Sequence, residues 1–142
     1  MKKIEELQGK YIPKCYGLTY VDGSRSLILS DVGGITMLDD RMPPMEDEEV
    51  ISKLRYLLER IRRSGILLED VSPTNMLYCD DKFVAVDFQY ARLEKNLQAA
   101  AEDVDEQVEA LMERYTFRQE ALQRIREEKA RREVWSGSPA GR

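Results

Sequence analysis

Asp70 is followed five residues later by Asn75, and Asp87 stands at the end of the next apolar run. Between Asn75 and Asp87 lie Met76 to Cys79 and Phe83 to Val86, two short stretches rich in β-formers. Asp80-Asp81 separates them and reads as a turn. A hairpin here returns the chain to its own start. The loop before it and the Asp after it then approach one another, so Asp70, Asn75 and Asp87 converge.

What precedes the loop fits that arrangement. Val50, Leu54, Leu57, Leu58 and Ile61 recur at helical spacing and predict one apolar stripe. Glu46, Asp47, Glu48 and Glu49 put negative charge where the helix macrodipole favours it. Arg60, Arg62 and Arg63 complement the far end, and Gly65 is a natural residue just past the helix. Ile66-Leu67-Leu68 is then a short buried run into the loop. Further upstream, residues 2 to 8 suggest a helical turn stopped near Gly9. Cys15 to Val21 and Ser26 to Val32 read as two strands around Asp22-Gly23-Ser24, with Leu27, Ile28 and Leu29 expected to be buried. Gly33-Gly34 breaks the second strand, and Met42-Pro43-Pro44-Met45 is a linker.

After the hairpin the pattern changes. From Leu93 to Glu133 there is no Gly and no Pro, and helix formers dominate. Leu97, Ala100, Val104, Val108, Leu111, Met112 and Tyr115 form an apolar stripe that Leu122 and Ile125 extend weakly, with a break expected near Tyr115-Thr116-Phe117. Trp135 to Arg142 reads as a disordered tail.

Composition excludes several classes. With 42% hydrophobic and 35% charged residues, no apolar run is long enough to span a bilayer. No apolar stretch follows Met1-Lys2-Lys3, so no signal peptide is expected and the protein is expected inside the cell, cytoplasmic or nuclear. A net charge of −5 disfavours general nucleic-acid binding; the arginine clusters read as solvated helix faces. Cys15 and Cys79 match no metal spacing and are expected to be buried or half-buried thiols. The chain has no histidine, which rules out Ser-His-Asp chemistry and imidazole metal sites.

The chemistry left to it rests on oxygen. Asp70 suits a base that accepts a hydroxyl proton, while Asn75 and Asp87 suit the amide and carboxylate that hold Mg²⁺ on nucleotide phosphates. Each residue alone has an ordinary explanation: a turn at Asp70 before Ser72-Pro73, an Asx turn at Asn75, a polar strand end at Asp87. Their joint spacing is what favours a site.

LLEDVSPTN followed by VAVDFQYA resembles the catalytic loop and metal-binding motif of the protein-kinase-like superfamily. Asp70, Asn75, Asp87 and Phe88 fall on H-R-D-L-x-x-x-N and D-F-G, and Pro73 sits where kinases commonly carry proline. The likeness covers roughly residues 10 to 92, and its flavour, with DVGG upstream, is similar to fungal kinase-like proteins. It implies an α+β fold: a truncated protein-kinase-like C-lobe with small β-hairpins and a long C-terminal helix. The expected divisions are a hinge and partial C-lobe over 1–92, a charged helical segment over 93–134 and a tail over 135–142. The resemblance implies Asp70 as catalytic base, Asn75 and Asp87 as nucleotide and Mg²⁺ residues, and ATP with Mg²⁺ as cofactors.

The departures bear on activity. Leu68 replaces the motif's His, Glu69 its Arg and Gln89 the Gly after Asp-Phe; Ser72 stands where a supporting Lys is usual. The Gly-rich loop, the V-A-I-K lysine and the A-P-E motif are not found, and Lys10 and Lys14 do not sit in that lysine's context. The expected function is therefore a catalytically impaired kinase-like binding or regulatory module. Two alternatives are a divergent ATP/Mg-dependent kinase completed by a partner chain, and a helical protein-interaction module. A protein partner, or self-association, is expected at the face where an N-lobe would pack or along the C-terminal helix, with no membrane contact.

Overall fold

The apolar stripe of α2 (Asp47–Arg63) is the organising element. Val50, Leu54, Leu57, Leu58 and Ile61 are all buried, each contributing about 1.5–3 kcal/mol of apolar burial. Its acidic first turn and basic last turn match the macrodipole, and Gly65 closes the end by donating its N–H to the Arg62 carbonyl at 2.8 Å. The computed structural model describes residues 2–69, 71–87, 91–93 and 97–136.

Around α2 the chain runs α1 (Lys2–Leu7), β1 (Cys15–Val21), β2 (Ser24–Leu29) and β3 (Ile35–Thr36) before it. After it come β4 (Ile66–Leu68), β5 (Met76–Cys79), β6 (Lys82–Ala85), β7 (Ala91–Leu93) and α3 (Leu97–Ser136). Among the described residues this is a mixed α and β architecture with three small antiparallel sheets and a long C-terminal helix.

The sheet order β3-β5-β6 places the expected hairpin against α2. Met76 faces Ala85 and Cys79 faces Lys82, with Asp80 and Asp81 in the left-handed region at φ 52° and 65° as a two-residue turn. Phe83, Val84 and Ala85 are buried, and Phe83 meets Tyr78 edge to face at 5.3 Å between ring centroids.

α3 packs along α2 through Val104, Val108, Leu111, Met112 and Tyr115, which are all buried. The break expected near Tyr115-Thr116-Phe117 does not occur. Tyr115 points into the core, and Arg118 Nε donates to the Leu38 carbonyl at 3.1 Å, so this turn is held from both sides. Leu122 is the last buried position. Ile125 is 56% exposed, and the helix continues through exposed residues to include Trp135; residues 137–142 lie outside the described residues.

Two expectations of burial are corrected. Leu27, Ile28 and Leu29 are 59%, 47% and 48% exposed, because among the described residues β1 and β2 form a two-stranded sheet that pairs with no other strand. Cys15, at the start of β1, is exposed for the same reason. Cys79 is half-buried, and its Sγ lies 3.6 Å from the Val32 carbonyl; burial there raises its thiol pKa.

Candidate functional site

The loop 69–75 leaves β4 and ends in a 3₁₀ turn, Pro73–Asn75. Ser72 stands before this turn with an extended backbone, and its Oγ accepts from the Thr74 N–H at 3.4 Å. Pro73 occupies the first helical position, where its missing donor costs nothing, and its side chain is buried. Asn75 N–H donates to the Ser72 carbonyl at 2.9 Å and closes the turn. Ser72, which stands where a supporting Lys is usual, thus braces the loop.

The hairpin then returns as expected. Val86 N–H donates to the Asn75 carbonyl at 2.9 Å, so Asp87 begins one residue beyond a direct tie to Asn75. The strand leading there is also pinned on its other side, where Ala85 N–H donates to the Tyr11 carbonyl at 2.9 Å. Asp87 itself is exposed and adopts φ 65°. Asp22, Asp80 and Asp81 also have positive φ, but they sit in two-residue hairpin turns; Asp87 takes the conformation at a strand exit. Backbones in sparsely populated regions collect at functional sites, and Asp tolerates this one best after Gly and Asn.

A second clamp lies on the other side of the loop. β4 pairs with β7 antiparallel, with Leu68 opposite Ala91, Leu67 opposite Arg92 and Ile66 opposite Leu93. The chain therefore enters the loop and leaves the Asp87 segment from register partners in one small sheet. Gln107 Nε2 of α3 donates to the Leu68 carbonyl at 2.6 Å and holds the end of β4. Beside it, Leu67, Leu68, Glu69, Val71, Glu106 and Gln107 border an open cavity of about 390 Å³. Asp70, Phe88 and Gln89 lie outside the described residues. The structure thus brings Asn75 and the start of Asp87 together and fixes both ends of the loop that contains Asp70.

Contacts that a sequence reading passes over hold the hairpin on α2. Lys53 Nζ donates to the Asp81 carbonyl at 2.7 Å and lies 3.2 Å from its Oδ1, while Tyr78 Oη donates to the same carboxylate at 2.8 Å. The phenol hydrogen bond, and then Lys53, lower the Asp81 pKa; burial, and then the Asp81 carboxylate, push Tyr78 up to about 12. Gly34 presses on the opposite side. A Cβ at this residue would lie 2.6 Å from the Tyr78 carbonyl oxygen and 3.0 Å from Cys79 Cβ, so only glycine fits.

Comparison with known proteins defines the class at the level of fold. The chain is similar to the protein kinase PK-1 of Cydia pomonella granulovirus, with a TM-score of 0.50 at 20% identity. The match covers 64% of this chain and 36% of the viral kinase, so the chain spans little more than a third of that protein's length. The fold is protein-kinase-like, and at this identity the likeness is one of fold alone. No protein-family model and no curated protein matches the sequence. Among the described residues no helix is long and apolar enough to cross a membrane.

Proposed function

We propose that the chain is a kinase-like binding or regulatory module that retains a weak nucleotide and Mg²⁺ site at Asn75 and Asp87 and is impaired in phosphoryl transfer. The supporting observation is Asp87, in the left-handed region one residue past the Val86–Asn75 hydrogen bond, within a kinase-like fold. The Asn75 amide oxygen and the Asp87 carboxylate are hard oxygen donors, the type Mg²⁺ takes, so the donor chemistry fits. Bound Mg²⁺ would supply charge neutralisation across the nucleotide phosphates. Asp70 is the residue assigned to accept or orient an acceptor hydroxyl proton.

Impairment follows from charge and positioning. Phosphoryl transfer depends on stabilising negative charge that spreads over the phosphate oxygens. Glu69 is an exposed carboxylate where the family motif has Arg, so this loop adds negative charge in place of a cation. Leu68, where the motif has His, is a buried apolar side chain whose carbonyl is taken by Gln107. The test is transfer of labelled γ-phosphate from ATP to protein and small-molecule acceptors. No transfer above background supports the reading, whereas transfer abolished by Asp70→Ala overturns it.

One observation favours a second reading, in which a partner chain completes the cleft of a divergent kinase. Apolar side chains of the β1–β2 ribbon stand in solvent, as a surface awaiting a partner does. Its mark would be transfer that appears only when that partner is added.

A further inference from the structure

Tyr11 and Tyr56 come from distant parts of the chain and meet as a pair. Tyr11 lies between α1 and β1 in a segment tied at both sides. Its N–H donates to the Leu7 carbonyl and its own carbonyl accepts from Ala85 N–H, each at 2.9 Å. Tyr56 stands in the middle of α2, where Leu54, Leu57 and Leu58 are buried. Both backbones are therefore held, and the rings sit 5.7 Å apart between centroids at 63°. Arg60 Cζ lies 5.4 Å from the Tyr11 ring centre and 4.6 Å from that of Tyr56, and Lys82 Nζ lies 5.0 Å from the Tyr11 ring centre. A hydrogen bond from the Tyr11 hydroxyl, and then Arg60, lower the Tyr56 pKa against the effect of burial. The two phenol oxygens thus face each other, which brings the ring carbons beside them together. Tyr56 is 48% exposed, whereas Tyr11 is half-buried and packs against the core.

We propose that Tyr11 and Tyr56 form an oxidative modification site, where a one-electron oxidant fed by hydrogen peroxide joins the two rings by a carbon–carbon bond. Each phenol loses one electron and its hydroxyl proton. The two radicals pair at the carbons beside the oxygens, and the hydrogens on those carbons move to the oxygens to restore both phenols. Two electrons and two protons leave in all, and they reduce one hydrogen peroxide to two waters. Exposure lets the oxidant reach Tyr56, and the fold supplies the partner ring at contact distance, which makes coupling a reaction within one chain. The other tyrosines lack such a partner. Tyr16 and Tyr20 are more exposed, at 63% and 70%, but Tyr20 stands opposite Arg25. Tyr78 meets Phe83, and Tyr115 is buried. Among the described residues only Tyr11 and Tyr56 bring two phenol rings together. The new bond closes the stretch from Tyr11 to Tyr56 into a covalent loop and so restricts the unfolded chain. This inference rests on the tyrosine pair alone and stands or falls separately from the nucleotide site.

Brief treatment of the dilute full chain with a haem peroxidase and hydrogen peroxide tests it. The expected product has the 16.5 kDa mass of one chain less two hydrogen atoms and shows the fluorescence of a coupled biphenol. After proteolysis, mass spectrometry should find the peptides carrying Tyr11 and Tyr56 joined. Tyr11→Phe and Tyr56→Phe keep the ring and remove the hydroxyl, so each should abolish this product, while Tyr16→Phe combined with Tyr20→Phe should leave its yield unchanged. Treatment of the urea-unfolded chain should give at least tenfold less of it, because folding is what brings the rings together. The cross-linked chain should also unfold at higher urea than the untreated one, and the same treatment should leave the midpoint of Tyr11→Phe where it was. No coupled product, coupling only between chains, or coupling that persists in Tyr56→Phe overturns the proposal. So does an equal yield of the joined peptides from the folded and the unfolded chain.

Discussion

Gly33 and Gly34 allow the backbone account to be tested by two neighbouring substitutions. Both residues sit at nearly the same left-handed φ, +70° and +69°, so alanine meets the same intrinsic penalty at either. That penalty is about 1–2 kcal/mol, offset by about 0.4–1 kcal/mol because alanine restricts the unfolded chain. At Gly33 a Cβ meets nothing within 4 Å, so Gly33→Ala should cost about 1 kcal/mol or less. At Gly34 the same atom lies 2.6 Å from the Tyr78 carbonyl oxygen and 3.2 Å from its carbon, and backbone cannot swing aside as a side chain does. Overpacking of this kind adds about 1–3 kcal/mol, which brings Gly34→Ala to about 2–4 kcal/mol. Urea unfolding followed by circular dichroism reads both as shifts in midpoint at constant slope. Equal costs within about 0.5 kcal/mol would refute the close approach of this segment to β5, and with it the placement of β3 in the sheet.

The Tyr78–Asp81 contact makes stability depend on pH at both extremes. Asp81 has its pKa lowered from 3.8, so its contribution is complete above that value and is lost as acid protonates the folded carboxylate. Tyr78 is raised from 10.0 to about 12, so its contribution is complete below pH 10.0 and is lost as pH rises towards 12. Unfolding free energies against pH should show both losses, and Tyr78→Phe should flatten the alkaline one. Lys53→Met should cost about 1–2 kcal/mol in urea unfolding by releasing the hairpin turn from α2. Leu111→Ala, at a position 1% exposed, should cost about 2–5 kcal/mol, whereas deleting residues 127–142 should leave the unfolding midpoint nearly unchanged. The opposite ranking in thermal unfolding would make α3 an appendage and favour the helical interaction module.

Strong local signals made much of this fold legible. The α2 stripe, its terminal charges and the Met76 to Val86 hairpin are all set by periodicity and turn chemistry within one short window. The approach of Asn75 to Asp87 followed from them, because a two-residue turn fixes the register. What escaped depends on distant partners. β7 is three residues long and exists by pairing with β4, so no window around Ala91 could announce it. Lys53 reads as one more charge on a helix surface until Asp81 arrives opposite it. The error at Leu27, Ile28 and Leu29 has a different origin. Apolar alternation says that a face wants cover, and none of the described residues supplies it.

The most direct test of the central claim is calorimetric titration of the chain with ATP in the presence and absence of Mg²⁺. Asp87→Asn is the informative variant, because Asn tolerates the left-handed backbone while removing the charge. Weak, Mg²⁺-dependent binding to the parent chain is expected, and Asp87→Asn and Asn75→Ala should each abolish it. Binding that is absent from the parent chain, or equally strong in Asp87→Asn, would contradict it.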